Sequence, residues 1–301
     1  MGKKLDRNLL GNSGLEVTRL GYGAMEVRGG EGGRPIDEVE AGQILNAVLD
    51  SGINFIDTSI DYGHSEEYIG KSISVRRSEF FLASKCGCPV NQPRGSTEHV
   101  FTRENIIAGV NQSLVRMKTD YLDAVQFHSS PSKSLLEQED SIQALLDLKE
   151  QGKIRLLGSS STLPNLADHI GMGVFDVFQI PYSGLNREHE NWITNAAKSG
   201  IGTIIRGGVA KGEPGESGVS RPDSWSKFEE AGLDELREEM ESRTAFMLRF
   251  TLSHPDLHTT IVGTKNPAHL VENVNAAQKG PLSTEVYLEA KRRLDEVGVV
   301  P

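Results

Sequence analysis

The feature that most constrains this chain is a rhythm. Short apolar runs of strand character alternate with segments whose apolar residues recur at helical spacing, and the cycle is completed eight times. Residues 18–23 read as the first run. Residues 53–56 lead into Asp57, 80–84 into Lys85 and 122–127 into His128. Runs at 154–158, 174–180, 202–205 and 259–262 complete the set. Helical patterns lie between them. One opened by Pro35 and Asp37 carries Val39, Ile44, Leu45, Val48 and Leu49, and others cover 65–72, 103–118, 139–151, 163–171 and 188–199. A further helix ends near residue 254, and the last follows Pro267. Several of the runs are apolar throughout, as strands buried on both faces of a parallel sheet are. Such alternation folds as an open doubly wound sheet or as a closed (β/α)8 barrel. Eight units within 301 residues, with no compositional break, favour the α/β class and the (β/α)8 TIM barrel, as one domain over residues 1–301. Asn12-Ser13-Gly14, within residues 8–18, signals an added N-terminal β-hairpin.

A parallel barrel brings all its strand exits to one face, so Asp57, Lys85 and His128 are expected there together, with Tyr62 on the loop after the second run. Each has an ordinary alternative: a helix cap, a solvated strand end, a satisfied core histidine, a packed aromatic. Three polar residues at matched exits make those alternatives jointly weak. As chemistry, a phenol has a pKa near 10 and gives up its proton reluctantly. A neighbouring ammonium is expected to lower that value, and a buried carboxylate keeps the ammonium charged. A histidine beside them orients an oxygen or shares the proton. The set suits proton donation to a developing alkoxide, as in carbonyl reduction, with the hydride coming from a cofactor.

Composition narrows the partners. Acidic residues outnumber basic ones, 42 to 32, for a net charge of −10, which argues against a nucleic-acid footprint. No N-terminal apolar run resembles a signal peptide and no segment approaches membrane-spanning length, so a cytoplasmic location is expected. The two cysteines, Cys86 and Cys88, are too close for a bridge, no third cysteine completes a zinc site, and no metal is expected. Gly21-Tyr22-Gly23 fails as a dinucleotide fingerprint, because residue 26 is Glu and a Gly-rich loop (Gly29, Gly30, Gly32, Gly33) follows in place of a helix. Residues 207–224, rich in Gly and Pro at a strand exit, read as a lid. Residues 229–241, with Leu233, Leu236 and Met240 at helical spacing, read as a solvated helix face.

Along its length the sequence resembles the aldo-keto reductase family. Phe55-Ile56-Asp57-Thr58-Ser59 with Asp61-Tyr62-Gly63 is similar to the family signature near the second strand. Gly70-Lys71, Ser84-Lys85 and Gln126-Phe127-His128 resemble the elements that follow. The resemblance implies Tyr62 as general acid, Asp57 and Lys85 tuning it, and His128 orienting a substrate carbonyl. It implies a nicotinamide cofactor, NADPH (NADP+) with NADH as a lesser partner, bound across the barrel mouth.

Cofactor residues follow by the same resemblance. Gly158-Ser159-Ser160 is similar to the carboxamide-binding element, with Ser160 replacing the usual Asn, and Ser159 and Gln179 are expected on the amide. Arg206 stands where the family stacks an aromatic on the nicotinamide; its flat guanidinium can stack instead, and its charge beside an oxidised ring favours release of NADP+. Gly207, Val209, Lys211 and Gly212 fall in the loop near the pyrophosphate. Gly263, Thr264 and Lys265 resemble the element gripping the adenosine 2′-phosphate, His269 replaces a frequent Arg, and Glu272 and Asn273 suit the adenine. The expected activity is reduction of an aldehyde or ketone, sugar-like or another small carbonyl, by a monomer or small homo-oligomer without nucleic-acid or membrane partners. A cofactor-binding regulatory subunit with little turnover is the alternative, and a metal-dependent barrel hydrolase is remote because the first strand exit supplies no ligand. Arg28, Arg94 and His99, in loops that border the pocket, are candidates for recognising an acid or sugar.

Overall fold

The computed structural model describes residues 4–29, 35–90, 98–213 and 222–301, the last from residue 225 on for side chains. Strands β1 (Arg7–Leu9) and β2 (Glu16–Thr18) pair antiparallel as the expected hairpin, with Asn8 opposite Val17. Eight strands follow: β3 (Leu20–Gly23), β4 (Phe55–Asp57), β5 (Phe81–Cys86), β6 (Leu122–Phe127), β7 (Ile154–Ser160), β8 (Val177–Pro181), β9 (Gly202–Arg206) and β10 (Thr259–Val262). They close into a barrel in chain order, β10 returning to β3, and each neighbouring pair is parallel. This is the (β/α)8 barrel that the eightfold rhythm predicts.

Side chains alternate between barrel interior and helix layer. Ile56, Leu82, Val125, Leu157, Phe178 and Ile205 point outward into the main apolar core with the helices. Phe55, Ala83, Ala124, Leu156, Val177 and Ile204 point inward and form a separate apolar cluster with Leu10 and Val17 of the hairpin. The hairpin therefore stops the end of the barrel where the strands begin. It is tied there by the Asn54 side chain, which accepts from the Thr18 N–H at 2.7 Å. One step of two residues along the same strands brings Asp57, Lys85, Gln126, Gly158, Gln179 and Arg206 into the next inward layer. An apolar floor thus lies under a polar layer, and the register fixes which residues enter each.

The outer helices are α1 (Glu38–Asp50), α2 (Ser65–Ser72), α3 (Arg103–Met117), α4 (Lys133–Gln138), α5 (Ser141–Glu150), α6 (Asn165–Met172), α7 (Glu190–Lys198), α8 (Pro222–Glu230), α9 (Arg243–Leu252), α10 (Pro267–Lys279) and α11 (Thr284–Glu296). Local chemistry starts several of them. Asp37 and Glu40 form a reciprocal capping box at α1, and Thr102, Ser132, Ser242 and Ser283 cap α3, α4, α9 and α11. Among the described residues, no helix is long and apolar enough to cross a membrane.

The structure corrects the expected solvated helix at 229–241. The helix ends at Glu230, Gly232 turns left-handed at φ 60°, and Leu233–Leu236 is a single 3-10 turn with Leu233 buried. Glu241 is buried against Arg249 of α9 at 2.7 Å. Met240, at φ 62°, cannot continue a helix. An ion pair from another element, invisible to local periodicity, decides this segment. The centre of the proposed lid, 214–221, lies outside the described residues, as do Gly30–Arg34 of the first Gly-rich loop and Arg94. The described start of the lid is held to α9, where the Glu213 N–H meets Thr244 Oγ1 at 3.2 Å.

Candidate active site

The polar layer is organised around one carboxylate. Lys85 Nζ donates to Asp57 Oδ1 at 2.5 Å and to the Thr58 carbonyl at 2.8 Å. Gln126 Nε2 and Gln179 Nε2 both donate to Asp57 Oδ2 at 2.9 Å. Asp57 and Lys85 side chains are 2% and 1% exposed, so this is a buried ion pair with its remaining lone pairs satisfied. Gly158 completes the layer by having no side chain: a Cβ there would lie 2.9 Å from Gln126 Cγ and 2.7 Å from Val177 Cγ2, so any other residue forces one of those side chains to shift. Lys85 Nζ lies 4.8 Å from the centre of the Tyr62 phenol ring.

Burial pulls the Lys85 ammonium toward its neutral form, but the Asp57 charge and the bonds to Asp57 and Tyr62 outweigh it, so its pKa is raised. For Tyr62, burial is the largest influence and raises the phenol pKa. Lys85 pulls it down, Asp57 and Asp61 push it up, and the net direction is upward. This reverses the expected acidification, because desolvation of the phenolate exceeds the attraction of one ammonium already neutralised by Asp57. Tyr62 is accordingly a neutral donor at pH 7.

His128 follows β6, and its N–H bonds to the Cys86 carbonyl at 3.0 Å, so the strand register carries it to the mouth beside Tyr62. The two rings meet edge-on at 6.0 Å. Nδ1 lies 3.2 Å from Cys88 Sγ and 3.8 Å from Asp61 Oδ2. Burial, then the charges of Lys85, His99 and Arg206, lower the His128 pKa to about 3 against the opposing pull of Asp61. The imidazole is neutral at physiological pH. Burial likewise pushes the Cys88 thiol up to about 12, and both cysteines are free.

A pH prediction follows. The unfolded chain protonates this histidine near 6.5 and the folded chain only near about 3. Between those values the unfolded state holds the extra proton, so this contribution to stability is complete above 6.5 and is lost as pH falls. Burial lowers His169, His189, His254 and His258 in the same direction. The urea midpoint is therefore expected to be lower at about pH 5 than at about pH 7.5. Equal midpoints contradict the buried, neutral histidines.

The residues expected on a cofactor occupy the same rim. Arg206 closes β9 half-buried, with Nε buried and, among the described residues, unpartnered. After it, Gly207 and Gly212 are left-handed, and no atom of the described residues lies within 4 Å of the Cβ position of either. Val209 packs on the core, and Lys211 is exposed. Gly263 sits so close to Gly23 that a Cβ meets its carbonyl at 2.5 Å. Thr264 is buried, and its carbonyl accepts from the Tyr22 hydroxyl at 2.6 Å. Lys265 Nζ donates to the Pro35 carbonyl at 2.6 Å. His269, Glu272 and Asn273 lie on α10, Asn273 buried, and Glu272 accepts from Ser242, the cap of α9. Ser159 and Gln179 have internal partners where an amide contact was expected: Ser161 Oγ donates to Ser159 at 2.8 Å, and Gln179 Oε1 accepts from Ser160 at 3.4 Å.

A family model described as "Aldo/keto reductase family" matches residues 19–294, and with it all eight barrel strands. The chain belongs to the aldo-keto reductase family. This aldo-keto reductase is 30% identical over 296 residues to the uncharacterized oxidoreductase YqkF of Bacillus subtilis (strain 168), with 92% of each chain covered. It is 29% identical over 293 residues to L-galactose dehydrogenase of Arabidopsis thaliana, covering 91% of this chain and 88% of that one. Among solved structures, the holo form of aldo-keto reductase AKR11C1 from Bacillus halodurans aligns with a TM-score of 0.83 at 27% identity, over 96% of both chains. The protein is an NAD(P)H-dependent oxidoreductase of a family that acts on small carbonyl compounds.

Two members of this reductase's site had no assigned role in the sequence. Gln126 lies two residues before His128 and so shares its face, a signal that period-two reading supplies. Cys88 gave none, because its closeness to His128 depends on the course of the loop after β5.

Proposed function

We propose that the enzyme reduces an aldehyde or ketone, sugar-like carbonyls among them, by hydride transfer from NADPH, with residues 1–301 acting as one catalytic unit. The observation that carries this is the hydrogen-bonded layer from Gln126 and Gln179 through Asp57 to Lys85, with the Tyr62 ring 4.8 Å from the Lys85 ammonium and a neutral His128 beside it. The residues present fit a nicotinamide nucleotide: among the described residues, Arg206 Nε and Gln126 Oε1 are buried without partners, and nothing crowds the Cβ positions of Gly207 and Gly212.

When bound, NADPH supplies the hydride that reduces the carbonyl carbon. Tyr62 donates its phenolic proton to the carbonyl oxygen as that oxygen becomes an alkoxide. Lys85 then stabilises the phenolate, and Asp57, held by two amide donors, keeps Lys85 charged and aimed. His128 has Nδ1 against Cys88, which leaves Nε2 to donate a hydrogen bond to the substrate oxygen. Arg206 would offer its flat guanidinium to hold the nicotinamide. The same residues run alcohol oxidation in reverse. A relative named L-galactose dehydrogenase supports sugar-like substrates in particular.

Loss of NADPH absorbance with 4-nitrobenzaldehyde tests the reading, and cofactor binding without turnover of any carbonyl overturns it. Lys265 and Thr264 are assigned to the 2′-phosphate, so kcat/KM with NADPH is expected to exceed that with NADH. Lys265→Met is expected to narrow the ratio by roughly tenfold or more, the value of a hydrogen bond to a charged group. Equal efficiency of the native enzyme with both cofactors contradicts the assignment.

A further inference from the structure

Cys88, His99 and His128 come together at the mouth of the barrel, and no role in reduction accounts for the first two. Cys88 is buried just beyond β5, His99 is half-buried in the following loop, and His128 ends β6. One ligand atom from each lies within 4.8 Å of the others. Cys88 Sγ is 3.2 Å from His128 Nδ1, and the two imidazoles meet edge-on at 5.1 Å. A tetrahedral zinc ion with sulfur at about 2.3 Å and nitrogen at about 2.0 Å sets its S and N ligands roughly 3.6 Å apart. Cys88 and His128 already stand near that spacing, and His99, with its ligand atom within 4.8 Å of both, closes on the ion by turning its half-buried side chain inward. The loop is braced for it: the Asn105 side chain donates to the Cys88 carbonyl at 3.0 Å and to the Val100 carbonyl at 2.8 Å, and Ser129 Oγ lies 2.8 Å from His99 Nε2.

We infer that Cys88 Sγ, His99 and His128 Nδ1 form a three-ligand site for a soft divalent cation, Zn2+, with the fourth position open toward the substrate pocket. One thiol and two imidazoles select Zn2+ over the oxygen-seeking Mg2+. On binding, the Cys88 S–H bond breaks, the sulfur lone pair passes to the metal and the proton leaves to solvent, while both histidines bind as neutral bases. Asp61, 3.8 Å from His128 Nδ1, adds a second negative charge against the repulsion of Lys85 and Arg206. An ion so held leaves the Nε2–H of His128 in place but lies, with its open fourth position, in the approach to the carbonyl, so Zn2+ acts as a reversible brake by occupying that approach. Ion binding stands on the geometry alone, and the brake rests on the proposed carbonyl reduction.

Co2+ added to the full-length enzyme without cofactor tests the binding. The expected result is one ion per chain, with thiolate-to-cobalt charge transfer in the near ultraviolet and tetrahedral absorption in the visible, both removed by Zn2+. Cys88→Ser is expected to lose the charge-transfer band and His99→Gln to weaken binding at least roughly tenfold, with circular dichroism confirming both folds. Absence of the band in the native protein, or its survival in Cys88→Ser, overturns the site. Zn2+ at the concentration that displaces Co2+ is then expected to stop oxidation of NADPH by 4-nitrobenzaldehyde, and EDTA to restore it. Turnover unchanged by saturating Zn2+ overturns the brake. A cobalt spectrum in a protein that turns over no carbonyl keeps the site and overturns both the reductase reading and the brake.

Discussion

Tyr62→Phe is expected to lower kcat by about 10²–10⁴-fold while NADPH binding stays as tight as in the native enzyme. The substitution removes one hydroxyl and leaves the ring, whose centre lies 4.8 Å from Lys85 Nζ and whose edge meets His128. The lost interaction forms only as the carbonyl oxygen gains charge, so kcat and kcat/KM are expected to fall together. Burial favours a neutral phenol, which places the proton on the donor before reaction begins. Stopped-flow turnover with a reactive aldehyde, beside cofactor titration by fluorescence, separates the two quantities. A loss of less than about tenfold means the proton comes from another group.

Asp57→Asn is expected to cost about 3–5 kcal/mol of stability as well as activity, the usual penalty for breaking a buried ion pair. It leaves the Lys85 ammonium with the Thr58 carbonyl and at most one neutral amide oxygen as acceptors, and no counter-charge in the layer. The single oxygen that Asn keeps can serve either Lys85 or the Gln126 and Gln179 amides, and its NH2 then faces the other set, so the buried layer reorganises. The urea midpoint is expected to fall at unchanged slope. Lys85 in the variant is expected to titrate lower than in the native enzyme, because burial then acts without the opposing carboxylate. A variant as stable as the native protein shows that the pair is exchangeable for a neutral hydrogen-bonded layer.

Particular residues show why some features were legible early and others were not. Asp57, Lys85 and His128 stand at the ends of apolar runs, and the parallel barrel turns that one-dimensional position into proximity. Tyr62 was equally visible, yet the direction of its pKa was not. That direction depends on how much water reaches the ring and on Asp57 already neutralising Lys85. Gln179, expected on the cofactor amide, also donates to Asp57, a partner 122 residues away that no local pattern announces. Glu241 looked solvated and is buried by Arg249.

The sequence by itself determined the architecture and the exits of the catalytic strands, because strand burial and helical spacing are periodic properties that a chain carries locally. It also determined which inward face each strand presents, since two-residue alternation needs only the order of residues. Only the tertiary structure decided how the charges of the site are balanced, which amides hold Asp57, and that Cys88 and His99 reach His128. Those outcomes depend on distances and desolvation between segments far apart in the chain, and no local pattern records them.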